Sequence, residues 1–148
     1  RTMPGRLVPE TDIVAVAQAL DGLSVLPKLL PGELTPTEAM LAMAIWVAQG
    51  PTDGTVRLRP LQGPVSEAPQ SAVATNVDAD ALRSTAKQLL AALPTELPAS
   101  LPVGDRTLSA GEFLTALASL VRADEVVQSQ PVGHPDPHAR GLGWGIAD

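Results

Sequence analysis

Three residues near the end of the chain have the side-chain types of a metal site: His134, Asp136 and His138. Alternate positions of an extended segment share a side, so all three could face one ion. The interleaved Pro135 and Pro137, with no further ligand type close by, point instead to an exposed loop, and neither a metal nor any other cofactor is expected. Two carboxylates also invite a catalytic reading, since Glu38 and Glu112 could serve as the acid and base of a glycoside hydrolase. Each, however, stands three residues after Thr35 or Ser109 at the head of an apolar helix, where a glutamate closes a capping box without any chemistry. A Ser, His and Asp set has little to draw on, because both histidines lie in the same tail. With no cysteine there is no thiolate ligand, disulfide or Cys nucleophile. Zinc-finger, nucleophile-elbow and phosphate-loop spacings are missing as well, and the chain is expected not to be an enzyme.

The remaining candidates are the two tryptophans. Trp144, flanked by glycines in GLGWGIAD, offers a rigid apolar face that could anchor a sugar ring or fill a partner's pocket, or it could fold back over the core. Trp46 sits between Ile45 and Val47 in a helix and reads first as core or repeat interface. Trp144, with Trp46 behind it, is the binding residue the sequence offers.

The elements that would position these residues centre on Leu34 to Val47, LTPTEAMLAMAIWV. Thr35 is the N-cap, Pro36 occupies the first helical position where its missing N–H costs nothing, Glu38 completes the box, and Gly50-Pro51 ends the helix. The segment returns as Leu108 to Val121, LSAGEFLTALASLV, identical at five of fourteen positions, with Ser109 and Glu112 as its capping box. Before the first copy, Thr11 or Asp12 can cap a helix to about Leu23, and LPKLLP at 26–31 forces a change of direction. After it, Asp53-Gly54 marks a turn and TVRLR at 55–59 alternates as a short strand. The second copy is preceded by a helix from about Asp78 to Leu93 and by LPASLP at 97–102, and is followed by a short strand at Val126-Val127. The Leu-Pro frames recur at a spacing of 71 residues and the capping boxes at 74, which places a three-residue insertion around Val103 to Arg106.

The predicted fold is therefore mainly α with short β-strands. Two tandem pseudo-repeats, each a helix, a Leu-Pro crossing, a capped helix and a short strand, pack as one pseudo-symmetric unit because neither can bury both its apolar stripes alone. The predicted layout is an irregular lead-in over 1–10, repeat 1 over 11–64, a linker over 65–76, repeat 2 over 77–135, and a Gly/Pro-rich tail over 136–148.

Composition narrows the partners. A chain of 148 residues buries roughly 68 to 70% of its unfolded surface if it folds as one domain. With 2% aromatics that core must be built of Ala, Leu and Val. A net charge of -6 and scattered basic residues speak against nucleic acid. The longest apolar run, Ala39 to Ala48, falls far short of the roughly 18 to 20 residues that span a bilayer, so no transmembrane segment is expected.

The order helix, spaced Leu-Pro, polar turn, then Leu-Ser/Thr-x-x-Glu heading an Ala/Leu helix and a Val strand resembles the pseudomurein-binding repeat family. LPASLPVGDRTLSAGEFLTALASLV carries the pattern best; LPKLLPGELTPTEAMLAMAIWV carries it with a shorter turn and Ala39 in place of Phe113. The resemblance implies a non-catalytic module, secreted or on the cell surface, that holds a protein to a cell-wall or extracellular polymer. The other function expected is that of a structural or assembly subunit, open to forming an oligomer and docking on other protein chains, for which the positive mean hydropathy of +0.14 speaks.

Overall fold

The computed structural model of the protein describes residues 5–50, 53–92, 95–136, 138 and 143–147. They form a mixed α/β fold of four helices and small antiparallel strand pairs, with no barrel. Val8 is fully buried between exposed Leu7 and Pro9, the alternation of a strand with one covered face. This strand, β1 (Leu7–Pro9), runs antiparallel to β2 (Thr55–Arg57), with Leu7 opposite Arg57 and Val8 opposite Val56. The irregular lead-in expected over 1–10 thus ends in a strand, a pairing with a distant segment that local composition does not signal.

Helix α1 (Glu10–Ala19) follows at once, capped by no side chain; the Glu10 N–H donates to the carbonyl of Gly54 at 2.8 Å. Thr11 and Asp12, expected as caps, lie inside its first turn, and the helix stops short of Leu23. Helix α2 (Pro36–Gln49) starts as its sequence requires, with Glu38 N–H donating to Thr35 Oγ1 at 3.2 Å and Thr35 N–H to Glu38 Oε1 at 2.9 Å. Helix α3 (Ala79–Ala92) buries Leu82, Ala86, Leu89 and Leu90 as its periodicity predicts; Leu93, expected on the same stripe, lies outside the described residues. Helix α4 (Ala110–Val121) repeats the capping box with Ser109 and Glu112 and buries Phe113, Leu114, Leu117 and Val121.

Leu97 to Ser109 holds a hairpin that the Leu-Pro reading does not foresee: β5 (Ser100–Val103) pairs with β6 (Arg106–Ser109) across Gly104-Asp105. Gly104 has φ 62°, the left-handed backbone a two-residue hairpin loop demands. The remaining strands are β3 (Leu61–Gln62), β4 (Thr75–Asn76), β7 (Gln128–Ser129) and β8 (Ile146–Ala147), with β3 paired to β8 and β4 to β7. The strand expected at Val126-Val127 is therefore displaced by two residues. Its register is fixed by tertiary bonds: Gln128 N–H donates to Ser119 Oγ at 3.1 Å and Gln128 lies opposite Asn76, while Val126 stays half exposed.

Helices α2 and α4 are buried over most of their circumference and supply the centre of the core. The alanines on both (Ala39, Ala42, Ala44; Ala116, Ala118) are buried and leave room for neighbours on several sides, which suits a chain so poor in aromatics. Helix α1 lies chiefly on α4, and α3 chiefly on α2, so each flanking helix covers the capped helix that is remote from it in sequence.

The crossings between the two parts of the chain match in the same way. Leu26 N–H donates to Gly133 O at 2.8 Å and Gly133 N–H to Ser24 O at 2.9 Å. Leu97 N–H donates to Gln62 O at 2.8 Å and Gln62 N–H to Thr95 O at 2.9 Å. Ser24, Leu26 and Gln62 stand 71 residues before Thr95, Leu97 and Gly133. Leu30 bridges Leu34 across a three-residue loop, and Leu101 lies opposite Leu108 within the longer β5–β6 hairpin.

Candidate functional site

The two glutamates are occupied by backbone. Glu112 is 2% exposed, with Oε1 accepting from Ser109 N–H at 3.0 Å and Oε2 from Ser71 N–H at 2.9 Å. Glu38 accepts from Thr35 N–H and lies 3.5 Å from Nη1 of Arg6, whose other Nη donates to Gly32 O at 2.6 Å. Each carboxylate thus ties the head of its helix to an incoming segment, Arg6 before β1 or Ser71 before β4. Each of these bonds fixes the carboxylate as an acceptor for backbone at its helix head, the role a capping box assigns it.

The segment expected as a linker, 65–76, is therefore docked on α4. Gln70 reinforces this, its Nε2 donating to Val132 O at 3.1 Å and its Oε1 accepting from Val132 N–H at 3.0 Å.

The tail docks in the corresponding way on α2. Thr37 N–H donates to Trp144 O at 3.1 Å, Thr37 Oγ1 to Gly145 O at 2.9 Å, and β8 pairs with β3. Trp144 has no exposed surface, and its indole N–H donates to Nδ1 of His134. Of the two readings its sequence left open, the fold-back over the core is the one found; an indole so covered has no face to give a sugar ring. Trp46 is partly buried against the core, and its Nε1, buried too, has no hydrogen-bond partner among the described residues.

The loop expected around His134, Asp136 and His138 is not simply exposed. His134 is nearly covered, and because its Nδ1 accepts, its proton resides on Nε2, 3.9 Å from Glu67 Oε1. Burial holds its pKa below the ordinary histidine value, against a smaller opposite pull from Glu67. Asp136 Oδ1 accepts from the His138 N–H at 3.1 Å, while His138 itself is exposed. Among the described residues no three His, Asp or Glu side chains are grouped so as to hold a metal ion; Pro137 lies outside them.

An open cleft of about 590 Å³ lies between the C-terminal end of α2 and the β1–β2 ribbon. Its lining combines apolar Leu7, Ile45 and Val56 with polar Gln49, Asp53, Arg57 and Arg59. Buried Val56 and Leu58 alternate with Arg57 and Arg59 and so turn both arginines to the other side of the chain. Asp53 and Gly54, both at positive φ, make the tight turn that brings β2 back beside α2. None of these residues is a candidate binding residue in sequence, although the TVRLR alternation already puts the two arginines on one face.

No family model matches the chain, and neither a curated protein nor a solved structure is found to be similar to it.

Proposed function

We propose that this chain is a non-catalytic attachment module, secreted or cell-surface, that binds a cell-wall or extracellular polymer. The observation that carries the reading is the cleft beside β2: open, and lined by Gln49, Asp53, Arg57 and Arg59 with no paired carboxylates and no histidine among its described lining residues. Such a surface can hold a polymer through hydrogen bonds and charge without acting on it. The occupied state of Glu38 and Glu112 supports the same view, since the residues most easily imagined as catalysts serve as helix caps. So does the resemblance of LPASLPVGDRTLSAGEFLTALASLV to pseudomurein-binding repeats.

The same reading takes the chain as two copies of one unit, interlocked about a pseudo-twofold axis. Support comes from the matched hydrogen bonds of Leu26 and Leu97, from the exchanged packing of α1 and α3, and from the two capping boxes. A second reading, assembly with other protein chains, is favoured by Val25 and Leu29, both more than half exposed on the first crossing.

One experiment separates them. The purified chain is incubated with insoluble wall and matrix polysaccharide and its mass in solution is measured by light scattering. Retention on polymer by a monomer is the expected outcome; a multimer with no retention would replace the first reading by the second.

A further inference from the structure

We propose that the cleft beside β2 is an oxyanion site, built to take the carboxylate or phosphate groups of an acidic polymer. This deepens the attachment reading and rests on it. A chain with no Tyr, a fully covered Trp144 and a Trp46 packed on the core has no free aromatic platform among its described residues on which to stack a sugar. Affinity for a polymer must then come from charge and hydrogen bonding.

The cleft carries two arginines. The protein carries a net charge of -6, yet two of its ten basic residues, Arg57 at the end of β2 and Arg59 two residues on, line this one cleft. Arg59 is half-buried and has no hydrogen-bond or ion-pair partner among the described residues. Arg57 commits one Nη to Gly5 O at 3.1 Å, and among the described residues its other donors have no partner. Against them stand Asp53 and the C-terminal end of α2, a helix end worth roughly half a negative charge, so the guanidinium groups prevail. A guanidinium fork meets the two oxygens of a carboxylate or phosphate in parallel, which a lysine could not do. Gln49 adds amide groups for hydroxyls, and half-exposed Leu7 an apolar rim for ring C–H groups.

The second half of the chain is a built-in contrast. The spacing that carries Gln62 to Gly133 carries Arg57 to Gln128 and Arg59 to Gln130. Gln128 spends its side chain on Asn76 at 2.9 Å, and the backbone of Gln130 is bonded to Thr115. Only the first half presents charge at these positions.

The test titrates the full chain with an oligogalacturonate, a glycerol-phosphate oligomer and neutral dextran, following heat of binding at low and at raised salt. The chain should bind one or both anionic oligomers and not dextran, with affinity falling as salt screens the pair. The R57Q/R59Q double variant, checked for unchanged unfolding, should bind about tenfold or more weakly. Which oligomer binds tells carboxylate from phosphate. Binding that ignores both substitutions, equal binding of dextran, or no binding of either anion overturns the site. If the double variant is still retained on insoluble wall polymer, the oxyanion site fails while the attachment reading stands; if the oligomers bind at the arginines but no wall or matrix polymer retains the chain, the attachment reading fails and the site stands.

Discussion

The indole N–H of Trp144 points at Nδ1 of His134, ten residues earlier, with the two ring centroids 5.7 Å apart and their planes tilted by 45°. This bond requires an imidazole whose Nδ1 is bare. It makes a titrating residue the support for the largest fully buried side chain of the tail, and through it for the cover over the head of α2.

A pH dependence follows with a definite sign. His134 is held below its ordinary value of 6.5 when folded, so the unfolded chain binds more protons in the window between the two values. Stability should be fully present above about 6.5 and decline as pH falls from there toward the folded value, as the Trp144 support is lost. Urea unfolding followed by tryptophan fluorescence at a series of pH values measures it. H134Q, which keeps an acceptor but cannot titrate, should remove the decline in this window. Asp124 gives a separate acid limb. Its carboxylate is held below the ordinary value of 3.8 by the hydrogen bond from Arg122, so what it contributes is lost only as pH drops past that value. A decline of equal size in H134Q would show that another group is responsible.

The two capping glutamates should differ in cost. Glu112 is the more deeply covered, and E112A would leave both Ser109 N–H and Ser71 N–H without acceptors, a loss of about 2 to 4 kcal/mol at roughly 1 to 2 per buried donor. E38A frees one backbone N–H and an ion pair with the more exposed Arg6, and should cost about 1 kcal/mol. Chemical denaturation of the two variants checks the order. Equal costs would mean that the bond from Ser71 contributes nothing to stability.

Gly145 should tolerate no side chain. It has φ 77°, and a Cβ there would sit 2.8 Å from Cβ of Thr35, the N-cap of α2. Gly22 has the same backbone and open space around it. G22A should therefore pay only the left-handed strain, about 1 to 2 kcal/mol, while G145A adds a clash and displaces the tail from α2. The readout is Trp144 fluorescence in the native state, red-shifted in G145A and unchanged in G22A. An unshifted spectrum in G145A would mean that the close approach to Thr35 does not hold the tail.

What could be read from sequence followed local chemistry. Thr35, Pro36, Glu38 and Gly50 state one helix almost completely, and Ser109 and Glu112 state another, because a capping box is closed within four residues. The features misplaced or missed are those decided at a distance. β1 exists because Val8 meets Val56, β7 starts at Gln128 because Ser119 and Asn76 hold it there, and Trp144 is covered because Thr37 and His134 receive the tail. The cleft belongs with these. TVRLR gives the arginines a common side, but only the turn at Asp53-Gly54 returns β2 beside α2, so that both arginines lie among the residues lining the cleft.

The exchanged packing bears on how the chain folds. α1 covers α4 and α3 covers α2, while Leu26 and Leu97 reach across to Gly133 and Gln62. A fragment ending near residue 69 would keep α2 but lose its main cover, α3, and would leave α1 without α4. It is also at the size where a chain buries only about 60% of its unfolded surface. Fragments 1–69 and 70–148 should each lack a cooperative unfolding transition alone and regain one when mixed in equal amounts, with a midpoint that rises with concentration because the reference state is now two chains. Circular dichroism during thermal melts reads this directly. If 1–69 unfolds cooperatively on its own, the halves are self-sufficient, and the hydrogen bonds from Leu26 and Leu97 join two finished units where they should be completing one.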